Sequence, residues 1–236
     1  MTLLFKNIKV LPLVYYPGSF NKNLKYSNKA IVPQKILDRL IKQFNDELQY
    51  PLIFKIKTNI LNFYIGVEEF CSQKDTVYIP NFILHNNFVV ENTKVTIEYC
   101  SIPKGSFIKL KPHKTSFTKL PNPKELLETK IINYYPVLTK NQTISIKDKN
   151  VEYLIDVTDC EPFYVISTNE TDISVDFEEP YDYQQVLKKQ NEQIKHEQIK
   201  HEQIKHEHSK QKRKCKFKKK GKFVPFTGKS YRLCDT

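Results

Sequence analysis

Tyr50-Pro-Leu-Ile-Phe-Lys-Ile-Lys57 decides the fold class. Leu52, Phe54 and Ile56 fall on one face of an extended chain and Lys55 and Lys57 on the other, because successive strand side chains point to opposite sides. The same period of two recurs in Lys94–Tyr99, where Val95, Ile97 and Tyr99 alternate with Thr96 and Glu98. It returns once more at Val151, Tyr153, Ile155 and Val157, set against Glu152, Asp156 and Thr158. Strands with one apolar and one polar face predict antiparallel or mixed sheets wrapped around a core.

Two helical patterns interrupt the strands. Over Pro33–Phe44, Ile36, Leu37, Leu40, Ile41 and Phe44 form one apolar stripe, with Lys35, Asp38, Arg39 and Lys42 outside it. A second helix is expected from Asn122 as N-cap, Pro123 at the first helical position and Glu125 three residues after the cap. It continues through Leu126, Leu127 and Ile131 and has to stop by Pro136. One helix near the start and another near residue 125, each followed by strands, predict two lobes, 1–115 and 116–183, with the boundary near 112–122.

The 236-residue chain carries a formal charge of +12, unevenly spread. Residues 188–236 hold 16 Lys/Arg against 5 Asp/Glu, a net of +11, whereas 1–187 hold 22 against 21, a net of +1. The body is therefore an ordinary, nearly neutral domain, and the basicity belongs to the tail. Residues 184–222 read as a low-complexity charged linker. Within it Glu192–His206 is Glu-Gln-Ile-Lys-His three times over. Ile194, Ile199 and Ile204 step around a helix by about 140° each and form no single stripe, which predicts a solvated, partly helical spacer. His196, His201, His206 and His208 follow from the repeat itself rather than from a metal site. Lys210–Lys222 is almost wholly basic and fits three uses: a spacer or address, steering toward an acidic partner, or phosphate contact with nucleic acid.

Several chemistries fail on residue type. Gly228-Lys229-Ser230 looks like the end of a phosphate-binding loop, but Phe223 stands where the first glycine belongs. Asp75-Thr-Val77 lacks the glycine of an aspartic-protease loop, and Cys234 lies third from the end, outside a prenylation signal. No Ser/His/Asp, Cys/His or HExxH set has a coherent context, so no catalytic residue, cofactor or metal is expected. Cys71, Cys100, Cys160, Cys215 and Cys234 are odd in number and scattered, with no CxxC, which predicts reduced thiols. Lys6 and Lys9 break the N-terminal apolar run, and no stretch approaches about 18 apolar residues. The expectation is a protein that is not secreted and does not insert in a membrane. Asn141-Gln-Thr143 and Asn169-Glu-Thr171 fit the glycosylation pattern without bearing on this. The tail closes on Phe223-Val-Pro-Phe-Thr-Gly-Lys-Ser-Tyr-Arg-Leu-Cys-Asp-Thr236, an apolar cluster with no core to shelter it, as a docking peptide has.

Taken in order, these residues resemble the ubiquitin fusion degradation protein 1 family, the substrate-recruiting adaptors of the valosin-containing AAA ATPase. Pro17-Gly-Ser-Phe20 looks like its opening, and Lys29-Ala-Ile-Val-Pro-Gln-Lys-Ile-Leu-Asp-Arg-Leu40 its strand-to-helix segment. Tyr50–Ile56, Gly66-Val-Glu-Glu-Phe70 and Val77-Tyr-Ile-Pro80 continue the order, with a short helix implied after Pro80. Asn122-Pro-Lys-Glu-Leu-Leu-Glu128 and Val175-Asp-Phe-Glu-Glu-Pro180 complete it. The resemblance implies a mixed α/β, β-rich body: a double-psi β-barrel lobe, then a smaller α/β lobe, then a disordered basic tail. It also implies binding of ubiquitin or polyubiquitin chains without chemistry, though no ubiquitin contact residue is assigned. Asn81-Phe82 stands where the family often has Trp, and Lys140-Asn141 replaces its usual Gly-Asp turn.

Residues 223–236 look like the family's ATPase-docking SHP box, Phe-x-Gly-x-Gly-x-x-Leu. Phe226, Gly228 and Leu233 match it, Phe223 precedes it, and Ser230 replaces the second glycine. Phe226 and Leu233 would each gain about 1.5–3 kcal/mol on full burial, and ordering the peptide offsets much of that gain, so micromolar binding is expected. A spacer of about 35 residues reaches roughly 30 Å as a coil. The implied partners also include the nuclear protein localisation 4 co-adaptor, although the histidine-rich repeat occupies and shortens its usual binding region. The functional expectation is a non-enzymatic adaptor bringing ubiquitinated proteins to the ATPase for unfolding and proteasomal degradation, as in ER-associated degradation. It would work in the cytosol or nucleus, or an equivalent reduced compartment such as a nucleomorph or periplastid space. The alternative is a nucleic-acid-binding protein acting through its basic tail.

Overall fold

The computed structural model describes residues 3–45, 48–71, 73, 75–192 and 194. Six strands close a barrel: β1 (Leu4–Pro12), β2 (Lys29–Pro33), β3 (Ile53–Lys57), β4 (Asn62–Cys71), β5 (Thr76–Ile79) and β6 (Lys94–Tyr99). Their order around it is β1-β5-β2-β4-β3-β6, with β6 pairing back onto β1. Two pairs are parallel, β1 with β5 and β2 with β4, and the others antiparallel. A parallel pair needs a crossover, and the chain supplies it through α1 (Gln34–Phe44) between β2 and β3. The alternating strands thus form the mixed sheet around a core that their period predicts, and its closure gives the β-rich, mixed α/β double-psi barrel that the family resemblance implies.

The barrel core collects Val10, Val32, Phe54, Ile56, Ile65, Val77, Ile79 and Ile97, all essentially without solvent contact. Phe54 and Ile56 point inward as expected, and so do Val95 and Ile97. Ile53 departs from the simple pattern: it lies on the outer face of β3 and is nevertheless buried, because the second lobe covers it. Helix α1 begins one residue later than expected, since Pro33 still pairs within β2 and serves as N-cap. Of its stripe, Ile36 and Leu40 are buried, Leu37 and Phe44 half-buried, and Ile41 is 47 % exposed. Five apolar positions span more of the helix than a barrel wall covers.

The second lobe is built from β7 (Phe107–Pro112), α3 (Thr115–Thr118), α4 (Pro123–Tyr134), β8 (Val137–Thr139), β9 (Thr143–Asp148), β10 (Val151–Glu161), β11 (Val165–Ser167) and β12 (Ser174–Phe177). A four-stranded sheet runs β12-β7-β10-β9, and β8 pairs with β11 beside it. Because β7 pairs with β10 and β12 and with no barrel strand, the chain leaves the barrel between Tyr99 and Phe107. That lies ahead of the boundary at 115 expected from the second helix; the strand pairing, not the helix, marks the passage. Helix α4 starts at Pro123 as expected, but the Asn122 side chain makes no capping bond. Its amide donates to Glu125 Oε2 at 3.1 Å instead, so the two polar groups satisfy each other rather than the helix end. In β10, Tyr153, Ile155 and Val157 face the core, whereas Val151 is exposed at the tip of the β9–β10 hairpin. The Glu-Gln-Ile-Lys-His repeats, the basic run and the closing peptide, Phe223, Phe226, Gly228 and Leu233 among it, lie outside the described residues save for the start of the first repeat. The chain divides after Gln184 into two units, the second described only over its first, helical residues, to 192, and at 194.

The two lobes meet along one polar and one apolar seam. Asn28, just before β2 and wholly buried, donates its backbone N–H to Tyr134 O at 3.2 Å and its side-chain amide to Val137 O. Its own carbonyl accepts from Gly66 N–H in β4 at 3.0 Å. Gly66 packs against the Pro136 ring so closely that a Cβ placed there would drive into Pro136 Cγ. Beside this, Ile53 and Tyr64 of the barrel pack with Val137 and Val165 of the second lobe. Tyr135, the next residue along, is wholly buried and fixes α4 to β9 by donating its hydroxyl to Ser145 O at 2.7 Å and accepting from Ser145 N–H at 2.8 Å.

A methyl group at position 66 meets a rigid ring and not a flexible chain end. Gly66→Ala is therefore expected to cost about 1–3 kcal/mol, the usual range for overpacking. Urea unfolding followed by circular dichroism measures it, and an unchanged midpoint would mean that the seam yields at no cost.

Candidate binding cleft between the two lobes

Beside the seam the lobes part into a cleft of about 490 Å³. Its barrel wall is the β3–β4 turn and the start of β4, with Leu61, Asn62, Phe63 and Tyr64, together with the end of α2 (Asn81–Asn86). Its opposite wall is the β8–β9 turn, Thr139 to Thr143. That volume lies within the range of ordinary ligand sites. Phe63 and Ile83 are buried and form the floor, while Asn62, His85, Asn86, Phe88, Lys140 and Asn141 are exposed along the rim.

The α2 wall ends in a specific way. Phe88 N–H donates to His85 O at 3.2 Å and Val89 N–H to Leu84 O at 2.9 Å, the paired bonds of a Schellman stop. That stop needs a left-handed residue after the cap, and the position is normally glycine. Here it is Phe88, at φ 54°, with 72 % of its surface exposed. Among the described residues, left-handed positions otherwise fall to Asn7, Asn45, Asp75, Asn92, Asn141, Lys149 and Glu170, with Phe88 the one aromatic. Asn and Asp tolerate this conformation because their short polar side chains bond locally, whereas a bulky side chain costs about 1–2 kcal/mol there. Phe88 bears that strain and gains little burial from it. Val90, two residues on, is 71 % exposed.

The facing wall is tied to the barrel by paired tyrosines. Tyr64 OH and Tyr164 OH lie 3.0 Å apart, and Lys140 N–H donates to Tyr164 O at 2.7 Å. Burial first, then the hydrogen bond with Tyr164, pushes the Tyr64 hydroxyl well above its ordinary value, so it stays neutral. Lys140 is held as a cation by its bond to Asp159 at 2.9 Å, and the same bond holds the Asp159 carboxyl below its usual range. No carboxylate lines the cleft among the described residues. The side chains of Asn62, Asn86 and Asn141 make no hydrogen bond within the described structure. The site is thus a trough of aromatic and amide groups whose single lysine is already neutralised.

A second polar centre lies nearby on the sheet. Asp156 Oδ1 accepts from Thr143 Oγ1 at 2.7 Å and faces His113 Nε2 at 2.9 Å, while Oδ2 accepts from Tyr181 OH at 3.0 Å. Lys111 Nζ sits 4.4 Å from the Tyr181 ring centre. A His–Asp pair is half of a hydrolytic arrangement, but the hydroxyls around it, Thr143 and Tyr181, donate their protons to the carboxylate and are not activated by the imidazole. Burial pushes the Cys100 and Cys160 thiols up to about 11, which leaves them protonated near neutral pH and poor as nucleophiles. Among the described residues no group of His, Cys, Asp and Glu is placed to hold a metal. The network's use is mechanical: it straps the chain after β12 onto β7, β9 and β10, helped by Asp182, which accepts from Thr115 N–H at 2.7 Å.

The comparisons bear on both lobes at once. Residues 5–103 match the family model "Ubiquitin fusion degradation protein UFD1, N-terminal subdomain 1", and residues 104–180 match "N-terminal subdomain 2". The two matches adjoin where the chain leaves the barrel. A Dictyostelium discoideum protein named "Ubiquitin fusion degradation protein 1 homolog" is 30 % identical over 179 residues, covering 75 % of this chain and 53 % of that one. The Schizosaccharomyces pombe "Ubiquitin fusion degradation protein 1" is 28 % identical over 187 residues, 77 % of this chain and 54 % of its own. The human "Ubiquitin recognition factor in ER-associated degradation protein 1" is 27 % identical over 176 residues, with coverages of 74 % and 55 %. The chain spans about half the length of these curated relatives.

No cleft residue is among the site residues that the sequence points to. The one available signal was Asn86-Asn87-Phe88, an apolar residue straight after a helix-ending amide pair, and Lys140-Asn141 was legible only as a turn.

Asp156 supplies a pH test. Burial acts to raise its carboxyl, but hydrogen bonds from Thr143, His113 and Tyr181 outweigh that and hold it below the ordinary value. A lowered folded value means that the stabilisation is complete above the unfolded value, near pH 4, and is lost as pH falls through the folded one. Asp156→Asn should cost about 1–2 kcal/mol at pH 7 and flatten the fall of Tm below about pH 4. Thermal melts from pH 2 to 7 check both; parallel curves for the two proteins would reject the assignment.

With both subdomain models matched end to end across the barrel and the second lobe, this chain belongs to the ubiquitin fusion degradation protein 1 family.

Proposed function

We propose that the protein is a non-enzymatic adaptor: the two-lobed body binds ubiquitin or polyubiquitin chains, and the closing peptide docks on the valosin-containing AAA ATPase. Modified proteins are thereby delivered for unfolding and proteasomal degradation. The observation that carries this reading is the unbroken match of both lobes to the family, whose relatives bear names of ubiquitin-dependent degradation and ubiquitin recognition. Phe226, Gly228 and Leu233, with Phe223 ahead of them, are the anchors proposed for the ATPase. The raised thiols and the proton-donating partners of Asp156 favour binding over catalysis. On this reading the protein works in a reduced compartment, the cytosol, the nucleus or an equivalent such as a nucleomorph or periplastid space, which the free Cys71, Cys100 and Cys160 suit. A nuclear protein localisation 4 homologue would be a further partner if the shortened region still holds it.

The full chain is expected to bind polyubiquitin and the ATPase N-domain at micromolar levels by isothermal titration. Phe226→Ala should weaken ATPase capture about tenfold, the loss of one buried anchor, and leave Tm unchanged. Absence of both interactions sinks the reading, and unchanged capture rejects the anchor. The net charge of +11 over 188–236 favours the second reading, nucleic-acid binding. That reading requires steep salt dependence lost on deleting 210–222, with Phe226 irrelevant.

A further inference from the structure

We infer that the cleft between the lobes docks an extended, uncharged segment of another polypeptide, with Phe88 as its gripping side chain. The cleft is open along a rim of exposed residues from both lobes, so a chain passes through it rather than being enclosed. Charge selects the occupant. The trough has no carboxylate among its described lining residues, and Lys140 is already paired with Asp159. A cationic side chain entering it would lose water and find no carboxylate, and an anionic one would meet only the exposed His85 and a lysine already held by Asp159.

The amides of Asn62, Asn86 and Asn141 are exposed at the rim, and within the described structure they bond nothing. Each offers both a donor and an acceptor, which is what an extended backbone presents at every residue. Between them, Leu61, Phe63 and Tyr64 provide an apolar wall for one or two side chains. Phe88 completes the fit. A glycine or asparagine would end α2 without strain, yet an exposed aromatic stands there. Aromatic side chains are enriched where interfaces bury them, and a ring this exposed gains most of its burial only from a partner. The inference stands apart from ubiquitin and ATPase binding, and neither of their tests decides it.

The probe is a twelve-residue peptide of Ser, Asn, Leu and Phe bearing a neutral dye, titrated by fluorescence anisotropy into the full chain. Ionic strength of about 0.5 M suppresses contacts with the basic tail. Micromolar binding is expected, lost when Leu and Phe become Ser and weakened when Asn becomes Asp. Phe88→Asn should weaken binding about tenfold while the thermal midpoint holds or rises, because Asn accepts the left-handed backbone. A merely structural Phe88 would move the midpoint and leave affinity alone. Asn141→Asp, which puts a charge into the trough without touching α2, should also weaken the peptide. Binding indifferent to both substitutions overturns the inference, as does equal affinity for the acidic peptide. Sedimentation that shows Phe88→Asn turning a dimer into a monomer overturns it too, by making a second copy the occupant.

Discussion

The close approach of Gly66 to the Pro136 ring, with Asn28 bonded to both lobes, is the constraint on which the rest of the body depends. A strand of a closed barrel has its outer face free to meet solvent, but here β4 is bare of side chain at the one point where a proline must reach it. Around that point the outer face of β3 becomes interior, so Ile53 and Tyr64 pack with Val137 and Val165. Polar and apolar contacts coincide at one seam. The backbone N–H and side-chain Nδ2 of buried Asn28 are bonded to the second lobe and its carbonyl to Gly66, and a slip would leave these groups, like its Oδ1 already, unpaired in a dry environment.

A fixed seam gives the neighbouring cleft fixed walls. The β8–β9 turn that forms one wall grows directly from Val137, itself bonded to Asn28, and Thr143 at its far end is held by Asp156. The Tyr64–Tyr164 contact, with the Lys140 N–H bond to Tyr164 O, ties that wall to the barrel. Binding to such a trough costs little ordering of the protein, which leaves more of the contact energy for the ligand. The exception is the end of α2, where strain is concentrated in one exposed aromatic. Strain of this kind persists where surrounding structure over-determines the backbone, and the Schellman bonds with the buried Leu84 and half-buried Val89 do so here.

The chain has only five glycines, and its described left-handed turns are filled mostly by Asn and Asp. Asparagine marks turns no more clearly in sequence than it marks caps or strand edges. Asn122 shows the ambiguity in reverse, since it stands at a helix start as the cap rules require, yet its side chain bonds Glu125 and not the backbone. The lobe boundary slipped for a related reason. β7 reads as an unremarkable alternating strand, and only its partners β10 and β12 assign it to the second sheet.

What the sequence determined by itself is what depends on neighbours along the chain. The alternation of Leu52, Phe54 and Ile56, the stripe of Ile36 and Leu40, and the stop before Pro136 each follow from local geometry. The ordered motifs from Pro17 to Pro180 carried the family. What only the tertiary structure decided depends on contacts between residues far apart: the barrel closure of β6 on β1, the burial of Ile53, the need for glycine at 66, and the meeting of Phe88 with the 139–143 turn across a cleft. Period and propensity encode which face of an element is apolar. They do not encode which distant element will cover that face, because that choice is settled by packing and hydrogen-bond satisfaction over the whole body.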